Sequence, residues 1–302
     1  MVPFMTMPAL QALANVSPAC KNLVVTHLDL AYDEALRQYV QDPHGLRGVM
    51  RMLRAVISGS FGLAFLLRNA GLAITPGDLD LYVPMEFATR LAAYLVSVEG
   101  YTHSATSPVP YGRNTAHQLV IVLEKEGRRI DVVPSVNDSA IYPISHFWST
   151  HVMNYITADT FCLAYPELTF SGRALLSPFQ LIRGRHTSAY IVALIRKYED
   201  RGFAFRVRSY AWGNGTSPLA CANTEGCSRV RRFFGDRYCM VGSLSRTYED
   251  CGFERGLPGP TTVCWWRGGD ICGTECDNRG MLGERAVPAA AIIDTKFLPE
   301  TL

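Results

Sequence analysis

Apolar and polar positions follow two spacings along this chain, and each spacing predicts one kind of element. Apolar residues three or four positions apart predict helices over residues 33–41, 46–54, 61–69, 85–98 and 178–201. Short apolar or alternating runs predict strands over residues 56–57, 78–83, 118–124, 128–133 and 151–157. This order predicts an α/β or α+β fold, in which helices flank a small mixed sheet.

Two of the predicted strands carry acidic residues on one side. Leu79 and Leu81 alternate with Asp78 and Asp80, so that strand has an apolar back and an acidic face. Residues 118–124 and 128–133 form a predicted hairpin around a short loop that contains glycine, and Pro134 is expected to end its second strand. That hairpin would place Asp131 beside Asp80.

Three carboxylates on adjoining strands suit a divalent cation. Asp78 and Asp80 stand two positions apart and therefore point to the same side of their strand, and Asp131 offers a third carboxylate. Carboxylate oxygens are the ligands that Mg²⁺ and the similar ion Mn²⁺ prefer. The sequence therefore predicts a Mg²⁺ or Mn²⁺ site at Asp78, Asp80 and Asp131.

A possible phosphate site precedes the acidic strand. Gly59 and Ser60 lie in a turn at the start of the predicted helix 61–69. Backbone N–H groups and the helix dipole at such a position bind phosphate oxygens. Together with the three aspartates, this turn indicates phosphoryl or nucleotidyl transfer.

These motifs resemble the nucleotidyltransferase superfamily typified by DNA polymerase β. Its signature is an apolar residue, Gly-Ser, a helix, Asp-x-Asp and a later Asp. Here it is matched by residues 57–60, Asp78, Asp80 and Asp131, and the resemblance covers roughly residues 50 to 200. Within the superfamily, the chain looks most like uncharacterised fungal nucleotidyltransferase-like proteins.

The resemblance implies an enzyme that uses two metal ions to move a nucleoside monophosphate from a nucleoside triphosphate to a hydroxyl acceptor. Gly59 and Ser60 would hold the β and γ phosphates. Members of the superfamily commonly use a helix after the catalytic sheet to hold the nucleotide, which would give Arg183 and Lys197 that role. The alternative is that these side chains lie on a solvated helix face.

Three segments are expected. They are an N-terminal extension over residues 1–45, a nucleotidyltransferase-like domain over 46–204 that includes the last long helix, and a cysteine-rich, irregular C-terminal region over 205–302. Seven of the nine cysteines lie in the last segment. A zinc site at Cys221, Cys227, Cys272 and Cys276, disulfides, and buried free thiols all remain open there. Phe233, Phe234, Trp265 and Trp266 are expected to pack this segment against the core.

Composition limits the partners. Lys and Arg number 29 against 27 acidic residues, and both parts of the chain, divided at residue 200, are nearly balanced, so bulk charge gives no signal for long nucleic acid. No run reaches the ~18 apolar residues of a membrane span. Residues 1–19 lack the positive charge of a signal peptide and contain three prolines. We therefore expect a cytoplasmic or nuclear protein.

Other interpretations of the same residues remain. Asp78 could cap the turn after Gly77, and Asp131 could pair with Arg128 or Arg129. The chain could be a catalytically inactive nucleotide-binding or protein-interaction module on the same fold. It could also be a secreted, disulfide-bonded protein whose acidic triplet binds Ca²⁺. The acceptor hydroxyl and the preferred nucleotide are not indicated by the sequence.

Overall fold

The computed structural model describes residues 2–108, 119–177, 189–208, 212, 226–227, 230–245, 261–267, 269–270, 285–286 and 289–294. The α-helices in these ranges are α1 Met7–Ala14, α2 Pro18–Leu36, α3 Pro43–Leu53, α4 Gly59–Leu66, α5 Ala88–Ser97, α6 Pro166–Phe170 and α7 Ala189–Glu199. The strands are β1 Val56–Ser58, β2 Leu79–Pro84, β3 Thr102–Pro108, β4 Leu119–Lys125, β5 Arg128–Ser135, β6 Asn154–Ile156, β7 Thr160–Leu163, β8 Arg173–Leu175, β9 Ala204–Arg206, β10 Arg232–Phe233, β11 Met240–Ser243, β12 Thr261–Trp266, β13 Gly269–Asp270, β14 Arg285–Ala286 and β15 Ala289–Asp294.

An eight-stranded mixed sheet forms the centre of the fold, in the order β11-β7-β6-β1-β2-β5-β4-β3. Only the β2–β5 pair within this sheet is parallel. The mixed α/β class is therefore confirmed. The sheet is larger than the small one predicted, because β3, β7 and β11 were not predicted as strands. Strand β11 joins the edge through pairing with β7, a long-range contact that no local pattern specifies.

The sheet is buried on both faces by alternate residues of its strands. On one face, Leu79, Leu81 and Val132 pack in a core with side chains of α1, α2, α3 and α5. On the other face, Tyr82 packs in a core with C-terminal side chains that include Phe233, Phe234 and Trp265. The packing predicted for those C-terminal aromatic residues is thus confirmed, whereas Trp266 is only half-buried.

The second helix differs from its prediction over residues 33–41. It starts at Pro18, where the Ser17 hydroxyl accepts a hydrogen bond from the Cys20 N–H, and it ends at Leu36. A proline at the first helical position is favourable, since its missing N–H has no partner in a helix anyway. Exposed Leu23 and Leu30 lie among the buried positions of this helix and obscure its periodicity.

The predicted hairpin is confirmed as β4 and β5, but the strand does not end at Pro134. It continues to Ser135 because Pro134 pairs with β2 on one side only. On the other side, β4 stops pairing at Val132, so the missing N–H of the proline breaks no ladder hydrogen bond.

The two longest predicted helices have different outcomes. The helix predicted over 85–98 is divided into a 3₁₀ turn, Met85–Phe87, and α5. Residues 178–188 of the last predicted helix lie outside the described residues, and α7 forms its second half. In the described ranges, none of the helices combines the length and the apolar character needed to cross a bilayer.

Candidate metal centre

Asp80 and Asp131 are neighbours because of the strand pairing. They are directly opposite each other in the parallel β2–β5 pair. On the other side of β2, Asp80 is opposite Ser58 of β1. Leu79, Leu81 and their partners point to the core formed with α1, α2, α3 and α5, so the two carboxylates point to the opposite face.

Asp78 completes a cluster of three carboxylates. One oxygen from each of Asp78, Asp80 and Asp131 lies within 4.8 Å of the other two. Asp78 and Asp80 are half-buried and Asp131 is buried. The structure therefore brings together the three residues that the sequence predicted as metal ligands.

The cluster is electrostatically unfavourable without a cation. Burial raises the pKa of Asp80 well above its usual value, and the charges of Asp78 and Asp131 raise it further. Arg129 and Lys197 act in the opposite direction on the same pKa. A divalent cation among the three oxygens would remove the repulsion between the carboxylates.

Arg129 binds Asp131 through two hydrogen bonds. Its Nε and Nη2 atoms donate to the two oxygens of Asp131, each at 2.7 Å. This bond raises the pKa of Arg129. The sequence left this pairing open as an alternative to metal binding, and the structure contains both the ion pair and the cluster.

Gly59 leaves room for Asp80 at the start of α4. Its φ is +68°, and a Cβ added there would lie 2.2 Å from Oδ2 of Asp80. Three residues later, a Cβ on Gly62 would lie 2.1 Å from Oδ1 of Asn154. The first turn of α4 therefore contacts β2 and β6 closely only because both positions are glycine.

Ser60 faces the cluster, although its side chain is buried. Its hydroxyl oxygen lies 3.5 Å from Oδ1 of Asp78, a long contact at the limit of a hydrogen bond. Ser58, one position before Gly59, donates from its hydroxyl to the backbone carbonyl of Asn154. These contacts fix the turn that leads from β1 into α4.

Side chains of α7 and of the segment after α2 interact electrostatically with the cluster. Lys197, near the end of α7, is exposed and acts on Asp80 through its charge. Burial raises the pKa of Tyr198, and the nearby Asp80 and Asp78 add to the shift. Burial also raises the pKa of Tyr39, which follows α2, to about 12, with Asp78 and Asp80 contributing. Arg183, the other predicted nucleotide-binding residue, lies outside the described residues.

The sequence did not single out Tyr39, Tyr198, Gly62 or Asn154. Tertiary packing brings both tyrosines to the site, and nothing local marks them. Gly62 could have been found, since a second glycine three positions after Gly59 lies on the same side of the helix turn.

The predicted zinc ligands cannot be placed together. Cys221, Cys272 and Cys276 lie outside the described residues, and Cys227 is buried. Four other described cysteines, Cys20, Cys162, Cys239 and Cys264, are free thiols.

The donor set of the acidic cluster fits Mg²⁺ or Mn²⁺. It consists of three carboxylates, which match the preference of these cations for oxygen. The two hydrogen bonds from Arg129 do not occupy all acceptor sites of the Asp131 carboxylate, because a carboxylate offers about four lone-pair sites. A cation could therefore share Asp131 with Arg129.

Comparison with protein-family models, curated proteins and solved structures finds no match for this chain.

Proposed function

We propose that this chain is a metal-dependent nucleotidyltransferase, which moves a nucleoside monophosphate from a nucleoside triphosphate to a hydroxyl acceptor. The observation that carries the proposal is the convergence of Asp78, Asp80 and Asp131 within 4.8 Å, beside the glycine turn that opens α4. The resemblance of these motifs to the nucleotidyltransferase superfamily supports it.

Each part of the site has a role in this reaction. The three carboxylates would hold Mg²⁺, which neutralises phosphate charge and activates the acceptor hydroxyl. The backbone of Gly59 and Ser60, at the positive end of α4, would hold the β and γ phosphates, and the exposed Lys197 would contact the same anionic chain. The acceptor oxygen would bond to the α phosphorus, pyrophosphate would leave, and the hydroxyl proton would pass to the carboxylates.

One observation favours a second candidate, a catalytically inactive nucleotide-binding module. Arg129 already neutralises part of Asp131 through its two hydrogen bonds of 2.7 Å, as a cation would in an active site. In such a module, the ion pair would replace one metal and the carboxylates would have a structural role.

Metal-dependent turnover separates these candidates. The purified chain would be incubated with Mg²⁺ or Mn²⁺, each of the four ribonucleoside triphosphates and a panel of hydroxyl acceptors, and pyrophosphate would be measured. We expect release that EDTA abolishes and that Asp80→Asn abolishes, whereas the exposed control Asp138→Asn retains it. If Mg²⁺ binds but no acceptor supports release, the inactive module is the better description.

A further inference from the structure

The segment from residue 171 to residue 212 has a strong excess of positive over negative charge. It contains eight Lys or Arg residues and two acidic residues, whereas the net charge of the whole protein is only +2. The balanced total therefore conceals a basic segment. This segment includes β8, α7 and β9.

Two arginines of this segment meet at one tryptophan. Strands β8 and β9 pair in parallel, with Arg173 opposite Ala204 and Arg206 opposite Leu175. Both arginines are exposed, and their guanidinium carbons lie 5.2 and 4.8 Å from the centre of the Trp212 ring. We call these three residues the arginine face.

Among the described residues, no acidic side chain forms an ion pair with the arginine face. Arg173 and Arg206 form none of the ion pairs found among the described residues. The indole N–H of Trp212 is buried and has no hydrogen-bond partner in the same part of the chain. Among the described residues, the two like charges at this ring therefore have no negatively charged partner, and the indole N–H has no acceptor.

The arginine face is joined to the acidic cluster by one aromatic core. Phe205, the neighbour of Arg206, stacks on Trp148 with ring centres 5.6 Å apart. Trp148 lies 5.9 Å from Tyr198, whose pKa responds to Asp78 and Asp80. Helix α7, which carries Tyr198, adds the exposed Arg196 and Lys197, and the charge of Lys197 acts on Asp80.

We propose that the arginine face binds a single-stranded nucleic acid, and that α7 directs the end of this strand towards the acidic cluster. This inference deepens the proposed function and rests on it for the role of the strand as acceptor. Guanidinium groups pair with phosphates and stack on bases, and an aromatic ring beside them suits unpaired bases. A strand of about 4–16 nucleotides is the length that one small domain covers. RNA and DNA strands share this chemistry.

The test measures strand binding without catalysis. A fluorescein-labelled 16-nucleotide RNA, the same sequence as DNA, and a DNA duplex would be titrated with the full chain in EDTA, and anisotropy would be recorded at several salt concentrations. We expect a single strand to bind more tightly than the duplex. The logarithm of its affinity should fall with the logarithm of salt by about 0.7 per phosphate contacted.

A charge-matched pair of variants locates the surface. Arg173→Glu/Arg206→Glu should weaken single-strand binding by about tenfold or more, because two phosphate contacts become repulsive. Arg37→Glu/Arg90→Glu changes the charge equally, at the C-cap of α2 and within α5, which both pack on the core that contains Leu79 and Leu81, and should change binding by less than about twofold. Circular dichroism and melting curves check that both variants are folded. Equal weakening in both pairs would overturn the proposal.

Further measurements separate this inference from its alternatives and from the proposed function. The inference is overturned if the duplex binds as tightly as the strand, or if only anionic phosphatidylserine vesicles bind. If the RNA strand binds more tightly than the DNA strand, RNA is the natural strand, and the reverse order indicates DNA. The Asp78→Asn/Asp80→Asn/Asp131→Asn variant should retain strand binding. Binding without pyrophosphate release by the wild type would defeat the proposed function alone, and release without strand binding would defeat this inference alone.

Discussion

At the scale of single residues, the acidic cluster combines groups that repel one another. Asp80 is the centre of this repulsion, because the charges of both Asp78 and Asp131 act on it. Its raised pKa means that the folded state holds the proton of Asp80 more tightly than the unfolded state does. Ionisation of Asp80 therefore costs stability as pH rises above its ordinary value of 3.8.

Asp80→Asn should therefore stabilise the metal-free protein at neutral pH. The expected gain is on the order of 1 to 2 kcal/mol, the scale of one unfavourable charge contact, and it should shrink towards pH 4, where Asp80 is protonated in the folded state and about half protonated in the unfolded state. Chemical denaturation in EDTA at pH 4 and pH 7.5 measures it, with Asp138→Asn as the exposed control. If the variant is less stable than the wild type at pH 7.5, repulsion between the carboxylates does not destabilise the protein.

Gly59→Ala tests the close approach between α4 and Asp80. The added Cβ would overlap the Asp80 carboxylate and also require a positive φ, so we expect a loss of about 1–3 kcal/mol together with loss of Mg²⁺-dependent stabilisation. Melting curves with and without Mg²⁺ measure both effects.

Gly71→Ala is the matched control for this variant. Gly71 has a similar φ of +78°, but nothing lies within 4 Å of its added Cβ. It should lose only the strain of the positive φ, about 1 kcal/mol, and keep its response to Mg²⁺. An identical Mg²⁺ response in both variants would contradict the close-approach argument.

At the scale of elements, short-range patterns predicted the strands better than the helix limits. The hairpin and the alternation around Asp80 were sufficient to place Asp131 beside Asp80, because strand registers follow from a period of two. The predicted limits of α2 were wrong because its exposed leucines obscure the spacing of its buried positions. The positions of Tyr39 and Tyr198 depend on tertiary packing, which no local period encodes.

His151 makes the packing of α7 and β9 sensitive to acid. It is fully buried, with ring centres of Tyr198 and Phe203 at 4.4 and 4.7 Å. Burial, with a contribution from Arg201, lowers its pKa to about 3. The unfolded state therefore takes up the proton first, and the stability from neutral His151 is present above about pH 6.5 and lost as pH falls towards 3.

His151→Phe should remove this part of the acid sensitivity. Between pH 6.5 and 5 the wild type should lose about 2 kcal/mol more than the variant, from 1.36 kcal/mol per pH unit. Urea denaturation at both pH values gives the difference. His103→Phe, at an exposed position in β3, should behave as the wild type does. Parallel pH curves for wild type and His151→Phe would show that His151 takes up its proton as readily in the folded state as in the unfolded state.

At the scale of the whole molecule, described C-terminal residues are part of the main fold. Strand β11 extends the central sheet, and Trp265 is 1 % exposed in a core shared with β1, β2 and β5. The sequence predicted the aromatic contacts but not the added strand. Edge pairing joins residues about 80 positions apart, from β7 to β11, and only the folded chain brings them together.

Trp265→Ala should therefore destabilise the whole protein and not only its C-terminal region. Its ring lies 4.4 Å from that of Phe234, and its N–H donates to the Tyr165 hydroxyl at 3.1 Å. Removing such a buried ring costs about 3–5 kcal/mol, while Tyr165→Phe removes only the hydrogen-bond acceptor and should cost about 1 kcal/mol. Denaturation followed by near-UV and far-UV circular dichroism should give one transition, shifted far more by Trp265→Ala than by Tyr165→Phe. Two separate transitions, with only the first shifted, would mean that the C-terminal core unfolds independently of the sheet that carries Asp80 and Asp131.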